Sequence, residues 1–224
     1  MKIYAAELTD TAAGADLDRL CAGLTRERQA RIKKTVRRES ARQILLAELV
    51  LRRAVSENLP LPVGKIAFDY NPYGKPFLVN AGGFHFNLSH SGRWVVCVID
   101  SAPAGIDIEL VKPVGYDLAG RFFSRLEYAD LMARNEPERL NYFYALWTLK
   151  ESYIKALGRG LFKSLDSFAI RINHDRIQRL ETENEPGDWF FKQYEIDGDY
   201  KMSVCASHER FPAEVVIREW DYFI

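Results

Sequence analysis

The chain has no apolar run approaching the roughly 20 residues that a membrane span needs. Its opening, Met1-Lys2-Ile3-Tyr4, meets Glu7 and Asp10 without an apolar signal region. Cysteine is scarce: Cys21, Cys97 and Cys205 are an odd, widely spaced set that makes neither a disulfide framework nor a zinc site. Net charge is absent too, since 31 Lys and Arg balance 31 Asp and Glu. A protein that adheres to bulk nucleic acid or to an anionic membrane is therefore not expected. No linker, repeat array or low-complexity segment interrupts the 224 residues. These absences describe a soluble, cytoplasmic protein in a reducing compartment. The 47% hydrophobic content is enough to close one large core or two small ones.

The zero total is a cancellation. Residues 26–53 hold ten Lys or Arg against three Asp or Glu, whereas residues 181–199 hold seven acids and one lysine. The basic stretch places Arg28 and Arg31 three apart, on one face if it is helical. Guanidinium groups grip phosphate bidentately, and an exposed basic helix with no ligand has the same pattern.

Apolar spacing predicts a helix from Arg38 to about Asn58, stopped by Leu59-Pro60-Leu61-Pro62. Residues 66–86 read as short strands and turns. Trp94–Ile99 reads as a buried strand, and Gly105–Leu110 as a second. Arg121–Met132 and, more strongly, Asn141–Leu157 predict helices, the latter closed by Gly158. Leu165–Ile172, Trp189–Ile196, Tyr200–Ala206 and Glu214–Trp220 read as strands. Each half thus holds a long helix followed by strands. Two similar α+β halves, with a pocket at their interface, suit the length.

Four segments carry chemistry. In Gly105-Ile106-Asp107-Ile108-Glu109 strand alternation puts Asp107 and Glu109 on one face. Two adjacent carboxylates call for a hard cation such as magnesium, or else face water on a half-exposed strand. Trp147, Glu151 and Lys155 recur every fourth residue on the predicted helix, either as a surface salt bridge or as a third acid and a base for a site. Phe86-Asn87-Leu88-Ser89-His90-Ser91-Gly92 reads as a loop whose hydroxyls, amides and imidazole could receive a phosphate; His90 could equally cap the following strand. It lacks the Gly-x-Ser-x-Gly of a hydrolase elbow, and Gly74-Lys75-Pro76 lacks the rest of a P-loop.

In this order the segments resemble the 4′-phosphopantetheinyl transferases of the surfactin-synthetase type, over the full chain. The Gly-x-Asp-x-Glu element is Gly105–Glu109, and the Trp-x-x-Lys-Glu-(Ala/Ser)-x-x-Lys element is Trp147–Lys155. Phe86–Ser91 and Tyr73-Gly74-Lys75-Pro76 precede them. The resemblance implies an α+β fold of two similar α/β lobes, related by pseudo-twofold symmetry, each a small, mostly antiparallel sheet on a long helix. The lobes would be residues 1–104 and 105–224. It implies a monomeric holo-acyl-carrier-protein synthase, which moves the 4′-phosphopantetheine of coenzyme A to a carrier-protein serine and releases adenosine 3′,5′-bisphosphate. The carriers would be acyl or peptidyl carrier domains, as in nonribosomal peptide or polyketide synthetases, with no nucleic-acid or membrane partner.

By the same resemblance magnesium, with manganese as an alternative, lies between Asp107, Glu109 and Glu151. Glu151 is the base for the serine, with a metal-bound hydroxide as competitor, and Lys155 and His90 assist the phosphates. Coenzyme A would be held by Arg28 and Arg31 at its 3′-phosphate and by Gly74, Lys75, Ser89, His90 and Lys155. Ile44 stands where a relative has a hydroxyl residue. The carrier would dock near Val111–Ser124, where Lys112, Val114, Tyr116, Leu118, Phe122 and Phe123 mix apolar and basic character. Two rival functions are a coenzyme A-binding regulator without turnover and a magnesium-dependent phosphodiesterase that passes the product to water.

Overall fold

The computed structural model describes residues 1–9, 20, 21, 24, 26–160, 163–173, 176–180 and 187–224. The first part of the chain forms β1 (Lys2–Glu7), α1 (Arg26–Lys34), α2 (Arg38–Asn58), β2 (Phe68–Tyr70), β3 (Pro76–Leu78), β4 (His85–Ser91) and β5 (Trp94–Asp100). Then come β6 (Ala104–Leu110), α3 (Asp117–Phe122), α4 (Arg125–Met132) and α5 (Glu138–Leu157). The chain finishes with β7 (Ala169–Asn173), β8 (Arg176–Leu180), β9 (Phe190–Tyr194), β10 (Tyr200–Ala206) and β11 (Val216–Glu219). Among the described residues no helix is long and apolar enough to cross a membrane.

All seven residues of β5 are buried. An apolar run of this kind offers no face to water, so both faces must be covered. Alternation sends Val95, Cys97 and Ile99 against Leu46, Val50, Leu51, Ala54 and Val55 of α2. Trp94, Val96 and Val98 point the other way, against Ile106 and Ile108 of β6 and Met202 and Val204 of β10. The far face of that second sheet is covered by α5 through Leu146, Leu149 and Tyr153. The layers therefore run helix, sheet, sheet, helix: an α+β fold of two lobes with the same plan. Sheet order is β11-β1-β5-β4 in the first lobe and β6-β10-β9 in the second, antiparallel except for β1 beside β11.

Helices α2 and α5 and strands β5, β6 and β10 lie where periodicity puts them, with Gly158 at φ 69° closing α5. Three segments differ from expectation. Phe86–Gly92 is not a loop: His85–Ser91 is the strand β4, paired in full register with β5. Arg121–Met132 is broken at Ser124, which caps α4 by a reciprocal pair of bonds with Glu127, the Ser-x-x-Glu signature of a helix start. Residues Leu165–Ser167 form a 3₁₀ turn before β7 begins. Much of the acidic 181–199 stretch, residues 181–186, lies outside the described residues.

Glu127 and Lys150 are 1% and 0% exposed. Lys150 Nζ donates to both Glu127 oxygens at 2.7 Å and to Phe168 O at 2.7 Å, while Ile170 N donates to Glu127 Oε1. Burial pulls the Lys150 ammonium down to about 8, against the attraction of Glu127. This cluster joins α4, α5 and the start of β7, and so fixes the roll of α5. Lys150→Met leaves the buried Glu127 carboxylate without a counter-charge and should cost about 3–5 kcal/mol in a denaturant titration, with Glu127→Leu in the same chain recovering most of it. A loss below about 1 kcal/mol would mean that the pair does not hold the helix.

Candidate active site between the lobes

Strand β4 runs along β6, and its polar side chains make the joint. Asn87 Oδ1 accepts from Ile106 N at 3.0 Å, Ser89 Oγ donates to Asp107 Oδ1 at 2.8 Å, and Ser91 Oγ accepts from Leu110 N while donating to Glu109 Oε2 at 2.8 Å. Alternation puts Asn87, Ser89 and Ser91 on one side of β4. They meet β6 at successive positions and stitch the two lobes together.

On the other side of β6 the backbone touches α5. A Cβ on Gly105 would stand 2.1 Å from Ser152 O and 2.4 Å from Ala156 N, so only glycine allows this approach. The contact brings the Trp147–Glu151–Lys155 stripe over the acids of β6. Lys155 Nζ donates to Asp107 Oδ1 at 2.6 Å and to Ser89 Oγ at 2.9 Å. Glu151 faces the same cleft from the helix as Asp107 and Glu109 do from β6, and Ser89 and His90 face it from β4 of the other lobe. A cleft of about 390 Å³ is lined by Ser89, His90, Asp107, Glu109, Trp147, Glu151 and Lys155.

The electrostatics are unbalanced. Asp107 is 3% exposed, and its Oδ2 is buried without a hydrogen-bond partner among the described residues. Glu109 is held above the usual carboxylate range by burial and then by the charge of Asp107. Glu151 is raised for the same two reasons, against the pull of Lys155. Burial and then Lys155 push His90 down, which keeps its imidazole neutral near pH 7. Three carboxylates therefore share the charge of Lys155, and the site is short of positive charge.

A second cleft, of about 440 Å³ and largely apolar, shares Glu151 and Lys155 with the first. It is bordered by Tyr73, Gly74, Lys75, Pro76, Asn87 and Phe122. Lys75 lies at this lip, with Nζ donating to the backbone oxygens of Lys155, Ala156 and Ala104.

The structure therefore brings together Ser89, His90, Asp107, Glu109, Glu151 and Lys155, with Gly74 and Lys75 beside them. Arg28 and Arg31 lie on α1, with side chains outside what is described. Ile44 packs against the small cluster of Cys21, Leu24 and Ile32. In the docking segment Phe123 is buried against Phe143, whereas Phe122 is half-buried, meets Trp147 edge-on and borders the second cleft, and Lys112 and Arg121 are among the exposed residues. Sequence reasoning missed Asn87 and Ser91 as builders of the site. Their period-2 spacing with Ser89 was the available signal.

Residues 103–205 match the model of the 4′-phosphopantetheinyl transferase superfamily, and residues 11–102 match that of a 4′-phosphopantetheinyl transferase N-terminal region. The chain is 38% identical over 221 residues to the 4′-phosphopantetheinyl transferase Sfp of Bacillus subtilis (strain 168), covering 99% of each chain. It is 36% identical over 188 residues to the 4′-phosphopantetheinyl transferase gsp of Aneurinibacillus migulanus, covering 84% of this chain and 78% of that one. Over 174 residues it is 32% identical to the 4′-phosphopantetheinyl transferase HetI of Nostoc sp., covering 75% and 73% respectively. Matched over 99% of its length by Sfp and over three quarters or more by the other two transferases, the chain belongs to the Sfp-type 4′-phosphopantetheinyl transferases.

Proposed function

We propose that the chain transfers the 4′-phosphopantetheine group of coenzyme A to a serine of an acyl or peptidyl carrier domain, with magnesium at the acid cluster. The observation that carries the metal is Asp107 Oδ2, a buried carboxylate oxygen with no partner among the described residues, beside two carboxyls held high in their range. An all-oxygen donor set of this kind suits a hard divalent cation. Asp107, Glu109 and Glu151 would hold it. In the structure as it stands no three described His, Cys, Asp or Glu groups are gathered as a finished metal site, and Asp107 Oδ1 is engaged by Lys155 and Ser89. When bound, the cation neutralises the diphosphate of coenzyme A.

The remaining work falls to side chains of this chain. Gly74 and Lys75 border the cleft in which coenzyme A would lie, and Arg28 and Arg31 on α1 would meet its 3′-phosphate. Ser89, His90 and Lys155 sit where the diphosphate would pass. A neutral imidazole donates one hydrogen bond there, and the Lys155 ammonium offsets charge on the departing oxygen. The serine oxygen forms a bond to the β-phosphorus, the bond from that phosphorus to the bridging oxygen breaks, and adenosine 3′,5′-bisphosphate leaves. Glu151, raised by burial, takes the serine proton. Positioning and charge neutralisation provide most of the acceleration in such transfers.

Carrier domains, acidic around their serine, would be steered by the exposed Lys112 and Arg121 of the 111–124 segment. The thiols of Cys21, Cys97 and Cys205 are all buried and suit a cytoplasmic setting, and the two-lobed chain would form the site within one monomer. Carrier domains of nonribosomal peptide or polyketide synthetases are the proposed substrates.

Incubating an apo carrier protein with coenzyme A and magnesium should give, by mass spectrometry, a carrier one phosphopantetheine heavier. Free phosphopantetheine would mean hydrolysis, and an unchanged carrier would mean binding alone. Asp107→Ala should reduce transfer roughly 100-fold or more, the several kcal/mol that a Lewis acid contributes.

The raised carboxyls make a further prediction. A folded pKa above the unfolded one means that the folded state holds more protons, so the stability tied to Glu109 and Glu151 is present at low pH and is lost as pH rises through the carboxylate range. At pH 7.5 without divalent cations, Glu109→Gln and Glu151→Gln should each raise the melting temperature. Magnesium should stabilise the parent chain and fail to stabilise either variant. Melting temperatures that fall in both Gln variants without metal would contradict the charge crowding.

A further inference from the structure

Lys75 is the residue that the resemblance assigns to coenzyme A and that the structure uses elsewhere. It closes the β2–β3 hairpin, whose turn is organised by Asn71: the Asn71 side-chain oxygen accepts from Tyr73 N at 3.0 Å and Lys75 N at 2.8 Å, and Gly74 takes the positive φ of 83° that the turn requires. From this turn Lys75 crosses to the other lobe. Its Nζ donates to Lys155 O at 2.5 Å, to Ala156 O at 3.3 Å and to Ala104 O at 3.3 Å. Asn71 Nδ2 follows the same path to Gly158 O at 2.8 Å.

The acceptors are the groups that a helix leaves unpaired. The last four carbonyls of an α-helix have no partner within it, and its C-terminus carries a partial negative charge. In α5 the Ile154 oxygen is taken by Gly158 N, while those of Lys155 and Ala156 are taken by Lys75. The helix's own basic residue in its last turn, Lys155, cannot serve, because its Nζ is on Asp107 and Ser89. The cap is thus supplied from the opposite lobe. Fit is close as well: a Cβ on Gly158 would stand 2.9 Å from Lys75 Cδ. An ammonium has three donors, and three carbonyl oxygens use them all.

We infer that Lys75, with Asn71, is a positioning residue: an inter-lobe cap that holds the C-terminal turn of α5, and with it Lys155, at the height where its ammonium meets Asp107. In this role its donors serve backbone carbonyls rather than a phosphate of coenzyme A. The kinetic consequence rests on the transferase reading above; the capping geometry does not.

Three variants separate this from a phosphate-binding lysine: Lys75→Met, Lys75→Arg and the uncharged-for-uncharged Asn71→Ala. Each is measured for coenzyme A affinity by calorimetry, for kcat of transfer to an apo carrier, and for amide exchange across residues 154–158. Capping predicts that Lys75→Met lowers kcat about tenfold, changes coenzyme A affinity by less than about threefold and accelerates exchange in the last turn about tenfold. Asn71→Ala should give a smaller effect of the same pattern, and Lys75→Arg should recover part of the exchange protection. A phosphate ligand would instead give Lys75→Met an affinity loss beyond about tenfold with exchange unchanged, and leave Asn71→Ala silent. That result overturns the inference. If the parent chain transfers nothing, the transferase reading fails while the exchange data still decide the cap.

Discussion

Asp107 is a carboxylate almost without exposure, and a buried charge persists only if its surroundings neutralise it. One of its oxygens is met by Ser89 from β4 and by Lys155 from α5, that is, from both lobes. The other oxygen is met by nothing among the described residues. The joint between β4 and β6, the closeness of α5 to β6 and part of the crowding that raises Glu109 and Glu151 converge on this one side chain. The half that is unmet defines what the cleft can accept.

The approach that makes this possible depends on residues that do no chemistry. Gly105 removes the one Cβ that would hold α5 off β6. Lys150 and Glu127 fix the roll of α5 from behind, and Thr148 hydrogen-bonds Ser203 of β10 at 2.7 Å beneath it. A helix anchored on one side by a buried ion pair and on another by buried hydroxyls presents its third side, the stripe of Trp147, Glu151 and Lys155, at a fixed height. Precision of this kind is what positioning catalysis needs. The side facing the cleft is left half-exposed, whereas the anchoring residues Thr148, Lys150 and Ser152 are 0% exposed.

Much of this was legible in the sequence because it rests on local rules. The apolar period of α2 and α5, the all-apolar β5 and the alternating acids of β6 were readable, and the stripe on α5 fell on the predicted face. What escaped involved partners distant along the chain. Asn87, Ser89 and Ser91 look like loop residues because polar side chains on a strand normally face water; here they face β6, which no local pattern announces. The strand β11 returns to pair with β1 from the far end of the chain. Lys75 carries no helical signal, yet it completes a helix some 80 residues on. Lys150 was read only as part of a motif, and its burial shows why a lysine sits there beside the cleft-facing Glu151.

The account turns on the claim that the acid trio accepts a diphosphate only together with a divalent cation. Calorimetric titration of coenzyme A into the intact chain, once in magnesium and once in a chelator, tests this most directly. Binding should be at least about tenfold tighter with magnesium, and coenzyme A should tighten magnesium binding by the same factor, as linkage requires. Equal affinity for coenzyme A in the two conditions would contradict it.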